Sequence, residues 1–431
     1  MKAINVNEFT HGPVNVHVIQ SDTYKTNTLV LHIRAALTEE DHTLRALLPL
    51  VLQSGSADYP TRKQIRQKLD DLYGATLTGD VNKKGENHLI SFKLEAANEK
   101  YLKDSTPLLE NAFQMMTSVI SNPLIENGAF KESVIKSEKR NLKQRIQSVY
   151  DDKIRYANMR LNEEMCKNEP YGLFVYGSEE QLDNITGEDL YDYYKRVVNE
   201  DAMDLYVVGD VETEEIKNLV SKHFTLPERQ EKPAESGDEK AAAGNVEEKE
   251  IFEEQDLKQG KLHLGYRTNI TYQDDDYFAL QLFNGLFGGF SHSKLFINVR
   301  EKASLAYYAA SRVESHKGLL MVMSGIETGN YDKAVKIIRE QMEAMKNGEF
   351  EEDQLEQTKS VLKNQLLETM DAPRGLVELM YHNELGGKKR SLDDWIPGID
   401  AVTKEDVVRV ANEAQLDTVY FLKGTEGGSD E

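Results

Sequence analysis

The sequence predicts an α+β fold built twice: two homologous half-domains, each a mixed, mostly antiparallel sheet covered by helices, joined by a flexible acidic linker. Three observations carry this reading. Residues 228–250 (E-R-Q-E-K-P-A-E-S-G-D-E-K-A-A-A-G-N-V-E-E-K-E) are polar, charged and nearly free of large apolar side chains. Such a segment has little surface to bury and reads as a linker. It separates residues 1–227 from 251–431, and a chain of 431 residues is long for one core. The other two observations are that the two halves begin alike and end alike.

The first half opens with a strand, N-T-L-V-L-H-I-R-A-A at 27–36, and the second with K-L-H-L-G-Y-R at 261–267. Each leads into an apolar helix that stops at glycine, Gly55 in one half and Gly288–Gly289 in the other, and then into another helix. Tyr73 lies 18 residues beyond Gly55, and Tyr307 lies 18 beyond Gly289. Strands follow at 88–95 (H-L-I-S-F-K-L-E) and 318–325 (G-L-L-M-V-M-S-G). Long amphipathic helices come next, such as the one starting at Tyr331. Each half closes with I-T-G-E-D or V-T-K-E-D, in which Thr186 or Thr403 opens a helix with acids in its first turn. A Val-, Tyr- and Leu-rich strand ends each unit, at 204–210 and 418–424. The order predicts an internal duplication.

Composition narrows the function. A net charge of −22 opposes binding to nucleic acid. The single cysteine, Cys166, forms no disulfide within the chain and supports no Cys-based zinc site; it reads as a buried or incidental thiol. No 18-residue apolar run is present and the first residues lack a signal-like core, so the expectation is a cytoplasmic protein that does not span a membrane. The ten histidines are scattered, and no two stand four apart with a neighbouring acid. Trp395 reads as a packing anchor.

The richest stretch is G-G-F-S-H-S-K-L-F-I-N-V-R-E-K-A-S-L-A-Y at 288–307. By residue type alone, Gly288 and Gly289 allow a tight turn, a close backbone approach or a helix C-cap, Arg300 decorates a helix surface, and Tyr307 joins a core. Arg66 and Tyr73 repeat the seven-residue spacing of Arg300 and Tyr307, so the duplication itself is a structural reason for that spacing.

This stretch, together with Y-G-L-F-V-Y-G-S-E-E-Q-L-D-N-I-T at 171–186 and V-V-G-D at 207–210, resembles the pitrilysin/insulinase family of zinc metallopeptidases. Active members carry H-x-x-E-H on the first-half helix that ends at glycine. Here that place holds A-L-L-P-L-V-L-Q-S-G at 46–55. Registering the glycine puts Ala46 and Leu50 in the positions of the zinc histidines and Pro49 in that of the general base. None of the three ligates zinc or moves a proton. In S-V-I-K-S-E-K-R-N at 133–141, Glu138 falls in the third-ligand slot, where a lone carboxylate is expected to be solvated or ion-paired. The resemblance thus implies a chain that binds no cofactor or metal itself. Arg300 and Tyr307 are implied to hold the substrate backbone and stabilise its oxyanion, in trans to zinc on a homologous H-x-x-E-H partner. The substrate would be an unfolded peptide added as a strand to a sheet edge. The alternative is a catalytically inactive peptide-binding or scaffold protein of the same fold. No Ser-His-Asp, Cys-His or paired-carboxylate signature points to a different active site.

Overall fold

The computed structural model describes residues 5–103, 106–224, 226 and 247–425. Most of the expected linker, 228–250, lies outside these residues; Lys249 and Glu250 already belong to a strand. Two compact units emerge. One comprises Met1–Ser148, Leu173–Gly237 and Pro373–Val377, and the other Val149–Gly172, Asp238–Ala372 and Glu378–Glu431. The segment Val149–Gly172, written in the first half of the sequence, therefore groups with the second unit.

In the first half the strands are β1 (Asn5–His11), β2 (Val14–Gln20), β3 (Thr26–Ala36), β4 (Thr76–Lys84) and β5 (Asn87–Ala97), the small hairpin β6 (Ile125–Glu126) and β7 (Ala129–Phe130), and β8 (Ala202–Gly209). The helices are α1 (His42–Leu52), α2 (Arg62–Asp71), α3 (Leu108–Ser121), α4 (Glu132–Asp151), α5 (Lys153–Met165), α6 (Glu179–Asn184), α7 (Gly187–Glu200) and α8 (Thr213–His223). The second half adds β9 (Lys249–Gln255), β10 (Gly260–Arg267), β11 (Ala306–Glu314), β12 (Leu319–Ile326) and β13 (Gln415–Gly424). Its helices are α9 (Tyr277–Asn284), α10 (Tyr331–Lys346), α11 (Glu352–Met370), α12 (Pro373–Gly386), α13 (Leu392–Ala401) and α14 (Lys404–Glu413).

The expected duplication is visible in sheet topology. The six-stranded sheet runs β1-β2-β8-β3-β5-β4, and the five-stranded sheet runs β9-β13-β10-β12-β11 when read in the same sense. In each, one pair is parallel (β2 with β8, β9 with β13) and every other pair is antiparallel. The second sheet thus repeats the first, strand for strand, except for β1. The strands expected at 27–36, 88–95, 204–210, 261–267, 318–325 and 418–424 are the central ones, β3, β5, β8, β10, β12 and β13. Their apolar runs are buried, so composition alone exposes them. Thr186 and Thr403 are both N-caps with full capping boxes, closed by Asp189 and Asp406, and share φ −99° and ψ 170°.

Each sheet also carries a charge problem. In the first unit Arg45 on α1 is only 1% exposed. Its guanidinium donates to the carbonyls of His88 (2.9 Å) and Ile33 (2.6 Å) and to the Tyr193 hydroxyl (3.0 Å), and pairs with Asp201 at 2.5 Å. Burial works against this charge, but Tyr193 and Asp201 hold its pKa above the ordinary arginine value. The network ties α1 to β3, β5 and α7. In the second unit His263 of β10 is fully buried, and burial, reinforced by Lys261, pushes its pKa down to about 3.

Two predictions follow from this packing. Thr186→Ala and Thr403→Ala each lower unfolding free energy by about 1 kcal/mol in urea titrations, because each leaves helix N–H groups uncapped. His263 is neutral when folded and titrates near 6.5 when unfolded, so below that pH the unfolded chain takes up the extra proton. Stability is therefore lost as pH falls from 6.5 toward 3, by up to about 1.4 kcal/mol per pH unit. Urea midpoints from pH 7 to pH 4 show the effect as a wild-type disadvantage, relative to His263→Leu, that grows as pH falls.

Candidate functional site

The segment carrying Arg300 and Tyr307 is backbone-irregular from end to end. Helix α9 widens into a π-helical turn at Gly285–Gly289, and a second π-helical segment spans Phe296–Lys302. Such turns are rare and recur at functional sites. A side chain at Gly288 would put its Cβ 2.7 Å from the Ser311 amide nitrogen and 2.5 Å from the Ser311 hydroxyl. Glycine is thus required there for close approach to β11, rather than as a plain helix cap. Leu295 and Val299 are fully buried and fix the inner face of the segment. Asn298 ties it to α10 through a 2.7 Å bond from its amide to Gln341. Arg300, next to Val299, is exposed, and its guanidinium lies 4.6 Å from the centre of the Phe296 ring.

The chain then reverses at Ser304, which has a left-handed φ of 50°, and enters β11. There the ladder slips: Ala306 faces Ile326 and Tyr308 faces Gly325, so Tyr307 is the extra residue of a β-bulge. Bulges re-aim side chains. Tyr307 is 80% exposed, while burial pushes the neighbouring Tyr308 phenol up to about 12. Tyr307 is therefore not a core residue, as its residue type alone had suggested. The side chains of Arg300 and Tyr307 make no hydrogen bond or ion pair among the described residues. β11 is also the terminal strand of its sheet.

The matched spacing of Arg66 and Tyr73 does not reproduce this arrangement. Arg66 is a surface residue on α2, 3.3 Å from Asp70 one turn on. Tyr73 lies before β4 in the reversal itself, with φ 59°, the place Ser304 holds in the second half. The Thr76 to Lys84 ladder runs without a bulge. Equal spacing therefore does not mean equal position: the reversal falls on Tyr73 in the first half but on Ser304, before Tyr307, in the second, so Tyr307 already lies in the strand, where the bulge re-aims it. The sheet edges differ too. Gly79 of β4 donates its N–H to the Gln53 side chain (2.8 Å), whose amide donates back to the Gly79 carbonyl (2.9 Å). Gln53 takes up, at that residue, the two backbone bonds an added strand would use. No side chain among the described residues bonds the backbone of residues 306–313 of β11 in this way.

The slot expected for the zinc motif from the resemblance falls on α1. Ala46 and Leu50 are 2% and 6% exposed, and Pro49 is buried inside the helix. Glu138 on α4 is 2% exposed, so it is not solvated; it is ion-paired, 2.7 Å from Arg62, and accepts a 2.8 Å bond from Asn141. Arg62 also reaches the Ser54 hydroxyl at 3.2 Å. Sequence reasoning missed Arg62, since nothing local links it to a residue 76 positions away. This donor set does not fit zinc: one carboxylate remains, and a guanidinium already neutralises it.

Fold and site together define a class. The chain belongs to the peptidase M16 family, and the family model described as "Peptidase M16 inactive domain" matches residues 184–362. Over its whole length it is 51% identical to a protein of Bacillus subtilis (strain 168) named "Probable inactive metalloprotease YmfF", covering 100% of both chains. It is 25% identical over 295 residues to "Uncharacterized zinc protease YmxG" of the same organism, covering 67% of this chain and 69% of that protein. Its structure superposes with a TM-score of 0.88 on a conserved protein from Enterococcus faecalis V583, at 34% identity, covering 99% of this chain and 100% of that one. No helix among the described residues is long and apolar enough to cross a membrane.

Arg62→Gln removes the counter-charge of a buried carboxylate and is expected to lower stability by about 1–3 kcal/mol in urea titrations. Arg62→Gln combined with Glu138→Gln restores much of that loss, because no charge is then left buried without a partner.

Proposed function

We propose that this chain is the non-zinc subunit of a two-chain peptidase, in which a homologous H-x-x-E-H partner supplies the metal and the general base. One observation carries the reading: Tyr307 is set outward by a bulge on a terminal strand, with Arg300 exposed just before it, and neither side-chain donor has a hydrogen-bond or ion-pair partner among the described residues. A scaffold has no need for a guanidinium and a phenol held free in this way.

Peptide hydrolysis builds negative charge on the scissile carbonyl oxygen. A guanidinium stays protonated at neutral pH, and a phenol donates its O–H, so both favour that charge. Phe296 beneath the guanidinium limits its rotamers, which keeps the donor in place before the substrate arrives. An unfolded peptide would join β11 as an added strand, where backbone groups are not taken by a side chain as Gln53 takes those of Gly79. The first unit contributes no metal chemistry in this reading; its slot is filled by Ala46, Pro49 and Leu50, and its remaining acid is paired with Arg62.

The test is to purify the chain with and without a co-expressed homologue carrying H-x-x-E-H and to follow cleavage of a fluorogenic unfolded peptide. Cleavage is expected only from the pair. Arg300→Ala or Tyr307→Phe is expected to lower kcat of the pair about 10²–10³-fold with the complex intact. A stable pair whose rate ignores both substitutions would instead support the scaffold reading.

A further inference from the structure

The second sheet ends at β9, and the internal repeat shows what that end lacks. Tyr206 pairs with His17 and Val207 with Val18 in the first sheet; Tyr420 pairs with Ile251 and Phe421 with Phe252 in the second. Phe252 therefore stands where Val18 stands. Val18 is 0% exposed, on a strand flanked by β1, whereas Phe252 is 49% exposed on a strand with no outer neighbour among the described residues. Phe252 is not isolated: its ring centre is 5.0 Å from Tyr331 and 6.3 Å from Phe421. Beside this aromatic floor lies a groove of about 550 Å³ between β9 and α10, bordered by Glu250, Tyr331, Val335, Arg339 and Glu343. Its lining carries five carboxylates against two cations, and Arg339 is already bonded to Glu248.

We propose that β9 and this groove receive an extended, lysine- or arginine-bearing segment of a partner chain, added antiparallel to β9 in the place that β1 holds on β2. The strand geometry follows from the unpaired backbone of a terminal strand. The apolar contact follows from Phe252, and the basic chemistry from the excess carboxylates. The charge also argues against a second copy as the occupant: antiparallel self-pairing of K-E-I-F-E-E-Q would set acid against acid in a chain of net charge −22. This surface is separate from Arg300 and Tyr307.

The experiment uses the full chain and two fluorescein-labelled octapeptides, one alternating Lys and Val, the other alternating Glu and Val. Anisotropy is expected to show binding of the Lys–Val peptide alone, weakened at least tenfold by Phe252→Ser or by Glu250→Lys with Glu343→Lys, and weakened by salt. Arg300→Ala with Tyr307→Phe should leave it unchanged, which separates this surface from the proposed peptidase site. Hydrogen exchange should show β9 amides becoming protected on binding. Equal binding of both peptides, loss of binding only with the Arg300 and Tyr307 changes, or failure of the Lys–Val peptide to bind the folded protein would overturn the proposal. So would β9 amides already protected in the free chain, because its own residues then cover the edge, or protection that rises with protein concentration, because a second copy then does. Circular dichroism confirms that each variant is folded.

Discussion

An open sheet must run out of hydrogen-bond partners at two strands, and the functional reading of this molecule depends on where that happens. A buried central strand has both edges satisfied and offers only packing. A terminal strand has a free row of N–H and C=O groups, and a protein either blunts it or uses it. Here the homologous edges have been treated differently. At β4, Gln53 bonds both backbone groups of Gly79. At β11 the ladder is broken by a bulge that turns Tyr307 outward. One duplicated unit thus has a side chain seated on its edge where the other presents a phenol.

The same unit also holds the positions that the family resemblance sets against the zinc ligands. A ligand-free slot of that kind must leave neither a hole nor an unbalanced charge. Ala46, Pro49 and Leu50 answer the first by joining the core. Arg62 answers the second by standing against Glu138, so a carboxylate at 2% exposure keeps a cationic partner. Arg45 obeys the same rule one residue before Ala46: a guanidinium enters the core only with a carboxylate, a phenol and two carbonyls around it. Helix α1 is consequently held by charge compensation on both sides of a purely apolar slot.

The chain's placement in the peptidase M16 family fits this division. The inactive-domain model matches 184–362, a range that includes the π-helical turns, the bulge and Arg300 with Tyr307. The two copies here keep the same strand order and the same Thr-Asp capping boxes at Thr186 and Thr403.

Local rules were enough for much of this. Buried central strands announce themselves by apolar runs, capping boxes by Thr with an acid three residues on, and the loss of the zinc motif by residue type, because Ala, Pro and Leu carry no ligand atom wherever they are placed. The edge strands β1, β4, β9 and β11 were not legible: they mix charge with short apolar stretches, and K-E-I-F-E-E-Q of β9 blends into the acidic segment before it. The grouping of Val149–Gly172 with the second unit, the pairing of Arg62 with Glu138, and Gln53 on Gly79 all join residues distant in sequence, so only folding decided them. The bulge is the sharpest case. Arg66 and Tyr73 have the same spacing as Arg300 and Tyr307, and no residue count distinguishes a tyrosine in a left-handed reversal from one set outward by an extra residue in a ladder, since that depends on which partner each backbone group finds across the sheet.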